Sequence, residues 1–153
     1  MGGIVEEYST EKIQLVVDIL RVLTQWSTLV LSLIFRNQFN NGILPQLLGG
    51  FLILCGFTLW ILSKIALGKE FTTSLSPKGF VTKGIYSKMR HPMYSGGLLF
   101  FIGIGMLFQS IVGLILTGIL VFPLLVYSAI EEEKQMVKKF GEKYIEYKKK
   151  TAF

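Results

Sequence analysis

Long apolar runs along this chain are separated by short polar clusters, most of them basic, and that pattern predicts helices that cross a membrane. The first run, Ile13 to Phe35, has 23 residues. As a helix it reaches about 34 Å, against a hydrocarbon core of roughly 30 Å. Asp18 and Arg21 interrupt it, three apart on one helical face. They fit either an intrahelical pair with a snorkelling arginine or a polar contact lining a cavity. Asn37 to Gly42 (NQFNNG) is a turn-rich break, and the second span runs from Leu44 to Leu67, with Gly49, Gly50 and Gly56 allowing close helix approach.

From Gly68 to Arg90 the chain turns polar, with Pro77 and Gly79 marking a turn. A loop of this length is a place to look for chemistry. Pro92 to Ile130 is apolar again, 39 residues without a formal charge, about twice one span. A helical hairpin turning near Gln109 and Ser110 fits that length, with Pro123 kinking the second arm. Beyond Glu131, the residues Met136, Val137, Phe140, Tyr144 and Tyr147 recur at helical spacing among charges, the pattern of an amphipathic interfacial helix. The expected fold is an all-α integral membrane protein of four transmembrane helices. A two-helix part (residues 1–67) precedes the loop, hairpin and tail (residues 68–153), which together form one structural unit.

Composition agrees, with 51% hydrophobic and 17% charged residues. The single cysteine, Cys55, rules out an intrachain disulfide, and with one histidine, His91, no zinc-ligand spacing exists, so no metal is expected. A net charge of +6 without any nucleic-acid-binding motif points to the headgroups of membrane lipids as the counter-charge and away from nucleic acid. Glu6, Glu7 and Glu11 stand where a signal peptide would be basic, so the first span is expected to remain in the mature protein. Five Lys and Arg lie in the loop from 68 to 92 and seven after Glu131, against Arg36 alone in the first turn. That bias places loop, tail and both termini in the cytoplasm.

Two clusters carry candidate chemistry. In GIYSKMRHPMYSGG, residues 84 to 97, Pro92 suits the first turn of a helix whose free N–H groups lie beside Arg90 and His91, a cradle for a carboxylate or phosphate. The same residues also suit a membrane-entry cap with interfacial Tyr86 and Tyr94. Glu131, Glu132 and Glu133 stand together where the hairpin reaches the surface. Their mutual repulsion calls for a cation or an amino group, unless they form a solvated turn.

These motifs, G-x-Y, R-H-P-x-Y, E-E and F-G-x-x-Y in order, resemble the isoprenylcysteine carboxyl methyltransferases and the related membrane phospholipid methyltransferases over roughly residues 66 to 151. The resemblance implies an S-adenosylmethionine-dependent membrane methyltransferase whose cofactor lies on the cytoplasmic side. No G-x-G-x-x-G stands in a strand-to-helix setting. By position, Lys78, Gly79, Phe80, Val81, Tyr86, His91, Pro92, Met93 and Tyr94 would line the cofactor, and Glu132 would meet its amino group. Where the isoprenylcysteine enzymes carry an arginine for the substrate carboxylate, four residues before Glu132, this chain has Ser128. Arg90 and Arg21 are the cations that could stand in for it, and Arg90 and Ser128 are the expected acceptor contacts. His91, Glu132 and Glu133 are the groups available as a base. The implied acceptor is lipidic or prenylated and most readily a carboxylate, with phospholipid N-methylation or thiol S-methylation as alternatives. In a different class stands a noncatalytic adaptor whose basic segments bind anionic lipid.

Overall fold

In the computed structural model residues 2–39, 42–68 and 80–152 are described, with side chains from residue 12 onward except residue 14. Lys78 and Gly79 therefore lie outside the described residues. Six α-helices follow one another: α1 (Gly2–Ile34), α2 (Leu44–Leu67), α3 (Pro92–Leu107), α4 (Ile111–Leu116), α5 (Phe122–Phe140) and α6 (Glu142–Lys150). A 3₁₀ turn (Gly84–Ser87) precedes α3, and a π-helical turn (Thr117–Val121) joins α4 to α5.

Among the described residues, three helical stretches are long and apolar enough to cross a membrane: Leu15–Ile34, Leu44–Leu67 and Ile111–Phe140. The fourth expected span, α3, has 16 residues. At 1.5 Å per residue it covers about 24 Å, short of the hydrocarbon core. α1 and α2 turn much apolar surface outward, Trp26 at 63% and Leu54 at 68% exposure among it, as lipid-facing helices do.

Pro123 acts without a sharp break. Proline has no N–H and its ring crowds the preceding turn, and here the backbone widens just ahead of it, Phe122 N–H bonding back five residues to Thr117 O. The rod then continues to Phe140 without stopping at Glu131, because acidic side chains do not end a helix. Gly141 ends it, at φ 55°, a conformation that costs a side-chain-bearing residue energy.

The tightest packing joins α2 and α3. A β-carbon built on Gly56 would stand 2.5 Å from Gly96 O, and one on Gly49 would stand 2.4 Å from Leu107 N, so the two backbones touch along two turns. At one end of the bundle Asn37 N–H and Gln38 N–H donate to Phe108 O and Gln109 O, tying the α1–α2 turn to the α3–α4 turn. The candidate chemistry gathers at the opposite end, beside a small core of Phe101, Val121 and Leu125 with Tyr94, Leu98 and Phe100 packed on it.

Candidate functional site

α3 opens at Pro92, so His91 stands just before the first turn of that helix, while α5 brings Glu132 and Glu133 alongside it. His91 is buried, with 4% of its surface exposed. Burial lowers its pKa below the usual 6.5 and outweighs the opposing pull of Glu133, so the ring is neutral at pH 7. A neutral ring has one N–H. Nε2 lies 3.2 Å from Glu133 Oε1, which assigns the proton there. The Nδ1 lone pair then faces Glu132 Oε2 across 3.7 Å.

The two glutamates differ in their surroundings. Glu133 accepts from Arg90 Nε at 2.6 Å, from His91, and from the Lys148 ammonium. Arg90 is further occupied by the tail, donating through Nη1 to Lys148 O at 3.1 Å and Thr151 O at 2.5 Å. The backbone joins in, with Arg90 N–H donating to Ala152 O and Ala152 N–H to Lys88 O, an isolated parallel bridge between residues 88–90 and the C-terminal segment. Glu132 has instead the Tyr94 hydroxyl within hydrogen-bonding reach and Arg21 near it.

Aromatic rings close the side of the motif that faces α6. Phe80 meets Phe140, Tyr144 and Tyr147 at centroid separations of 4.8, 5.6 and 5.8 Å. Tyr147 Oη donates to Tyr86 O at 2.6 Å, fastening α6 to the 3₁₀ turn. Burial raises the hydroxyls of Tyr86, Tyr144 and Tyr147 above the ordinary phenol range, so all three stay protonated at neutral pH. Tyr94 stacks obliquely on His91 with centroids 5.6 Å apart. An apolar groove of about 370 Å³, lined by Leu62, Ile65, Ala66, Gly84, Ile85 and Lys88, opens beside this turn.

Of the residues singled out in the sequence, the structure brings His91, Tyr94, Glu132, Glu133 and Arg90 together, with Tyr86 and Phe80 on the α6 side. Pro92 is buried, and Met93 and Val81 are half-buried. Ser128 is fully buried and its hydroxyl accepts from Arg21 Nη1 at 3.3 Å. Of the two readings of Arg21, the intrahelical pair is present, with Nη2 on Asp18 Oδ1 at 2.8 Å, while Nη1 reaches across to α5. Lys148 was not singled out, because nothing in a lysine-rich tail distinguishes one lysine from its neighbours. Among the described residues no group of three or more His, Cys, Asp or Glu is placed to hold a metal ion.

The sequence profile of a family described as phospholipid methyltransferase matches residues 44–143. The protein-S-isoprenylcysteine O-methyltransferase of Schizosaccharomyces pombe is 34% identical over 71 residues, covering 46% of this chain and 30% of that protein. The protein-S-isoprenylcysteine O-methyltransferase B of Arabidopsis thaliana is 29% identical over 101 residues, covering 63% of this chain and 51% of that protein. The chain thus spans about half or less of the length of these two relatives.

Proposed function

This chain belongs to the phospholipid methyltransferase family, and from that premise we propose that it is an S-adenosylmethionine-dependent membrane methyltransferase that methylates the carboxylate of an isoprenylcysteine-like or other lipidic acceptor. The observation that carries this reading is the facing of His91 Nδ1 and Glu132 Oε2 across 3.7 Å. The Glu132 carboxylate beside that ring is a suitable partner for a cationic amino group, and the cofactor's α-amino group is of that kind. Both relatives are O-methyltransferases of protein S-isoprenylcysteine by name, which favours a carboxylate acceptor.

S-Adenosylmethionine, when bound, supplies a methyl group activated on a sulfonium sulfur. The chain's own residues bind, orient and exclude water. Glu132, steadied by Tyr94, and His91, steadied through Glu133, would hold the amino group. Phe80 and the rings of α6 would cover the site from water, and Lys78, Gly79, Val81, Tyr86, Pro92 and Met93 are assigned to its lining by the family motif. Glu133, with three donors on it, would act as a strut and not as a base. A carboxylate acceptor needs no base, because it is already the nucleophile. An amine acceptor would first have to lose a proton, for which Glu132 is the nearest group. The groove beside Gly84 and Ile85 offers an apolar chain a surface next to the site.

Calorimetric titration of the detergent-solubilised protein with S-adenosylmethionine tests the cofactor site. Glu132→Gln should weaken binding about 5- to 150-fold, the effect of losing one charged contact of roughly 1 to 3 kcal/mol. The same preparation should transfer labelled methyl to a prenylcysteine analogue. No heat from the wild type at millimolar cofactor would favour the adaptor instead.

We also propose four crossings with both polar segments in the cytoplasm. The lysine and arginine bias supports it. So does the burial of α3 against α2, which lets a helix too short to span lipid by itself cross within protein. With Cys55 replaced by serine, cysteines at Ser87 and Lys150 should label from the cytoplasmic side and one at Asn37 from the other. Labelling of Asn37 and Ser87 from the same side would remove the four-span arrangement.

A further inference from the structure

Arg21 lies inside the apolar window Leu15–Ile34, where a guanidinium is expensive and is retained for a reason. Its guanidinium is held by side chains of two helices. Nη2 is held by Asp18 Oδ1 at 2.8 Å, and Nη1 extends from α1 to the hydroxyl of Ser128 on α5, 107 residues away, at 3.3 Å. The guanidinium also stands 6.0 Å from the centre of the Tyr94 ring, and so borders the same ring that reaches Glu132. About a fifth of the Arg21 side chain, 22%, stays accessible.

The contact with Ser128 is weak for an arginine. A neutral hydroxyl at 3.3 Å replaces little of the solvation that a buried guanidinium gives up, whereas an oxyanion in that place would take two parallel N–H bonds. Asp18 fixes the plane of the guanidinium and leaves further N–H donors beyond the two bonds described. The other arginine of the site is already engaged, bonded through Nε to Glu133 and through Nη1 to two tail carbonyls.

We propose that Arg21, held between Asp18 and Ser128 at the junction of α1 and α5, recognises the carboxylate of the lipidic acceptor. This rests on the reading of the site as a lipid methyltransferase and names the residue that reads the acceptor's head. The acceptor's carboxylate then sits beside Tyr94.

The test compares binding of a prenylcysteine analogue as free acid and as methyl ester, by calorimetry on the full chain in detergent, without cofactor. Such binding reads recognition independently of methyl transfer, so failure of the methyltransferase reading and failure of this assignment are told apart. The wild type should prefer the acid, and Arg21→Gln should lose that preference by about 10- to 150-fold, the effect of one charge-assisted contact. Because Arg21→Gln also leaves Asp18 without its partner, the double exchange Arg21→Ser with Ser128→Arg serves as the second variant and should restore part of the preference for the acid. Equal binding of acid and ester by the wild type would overturn the proposal, as would an Arg21→Gln variant that keeps the preference. A variant that loses affinity only for vesicles of a phosphodiester lipid, and not for the acid, would also overturn it.

Discussion

Replacing Glu133 with alanine should cost the protein about 3 to 5 kcal/mol, the effect of removing one partner from a buried ion pair and leaving the other charge uncompensated. Arg90 and Glu133 each have 11% of their side chain exposed, and Glu133 also binds His91 and the Lys148 ammonium. Without the carboxylate, two cations stand close together and the α6 segment loses its charged attachment to the start of α3. The melting midpoint in detergent should fall by several degrees. Limited proteolysis should cut first in the residues after Phe140. Glu132→Gln should show neither change, because Glu132 faces the open part of the site. A Glu133→Ala variant with wild-type melting and an intact tail would mean the cluster is not what holds α6.

The second large effect belongs to the α2–α3 contact. Side chains added at Gly49 and Gly56 would meet backbone atoms of the opposite helix at 2.4 to 2.5 Å, and a helix backbone cannot yield as a flexible side-chain end can. Each alanine should cost about 1 to 3 kcal/mol by forcing the helices apart. The double variant should lose more than either single one but less than their sum, with a drop in folded yield, since helices already forced apart at one site relieve the other. Gly50 has nothing within 4 Å of its built β-carbon, so Gly50→Ala is the matched control and should be neutral or slightly stabilising. Equal folded yields for Gly56→Ala and Gly50→Ala would contradict the close approach.

Much of the helical framework could be read from one-dimensional pattern. Leu44 to Leu67 matches in both bounds, because the apolar run is flanked by a turn-forming break with Pro45 in the first turn and by Gly68 past the last. α1 begins earlier than its apolar run, at Gly2, because helix-forming polar residues extend a helix beyond the part that lipid requires. α5 outruns Glu131 for the same reason, and its end was legible only in Gly141. Length separates α3 from the others: Gln109 and Ser110, the turn expected within the charge-free stretch of 39 residues, lie where the chain does turn, and that leaves α3 only 16 residues.

For the site, residue type and order were sufficient to bring His91 and the glutamates together. They could not say which glutamate is saturated, because Lys148 and the carbonyls of Lys148 and Thr151 carry no distinguishing signal. The Arg21 to Ser128 contact was equally silent. It depends on the tilt of α1 against α5, which follows from packing and not from spacing.

The pairing of Ala152 with Lys88 and Arg90 has a consequence for biogenesis. Residues 142–152 follow every apolar helix in chain order, yet their contacts complete the cluster around Glu133. The cluster is therefore completed only once these residues have been made and have folded back. Until then Arg90 has neither Lys148 O nor Thr151 O to bind.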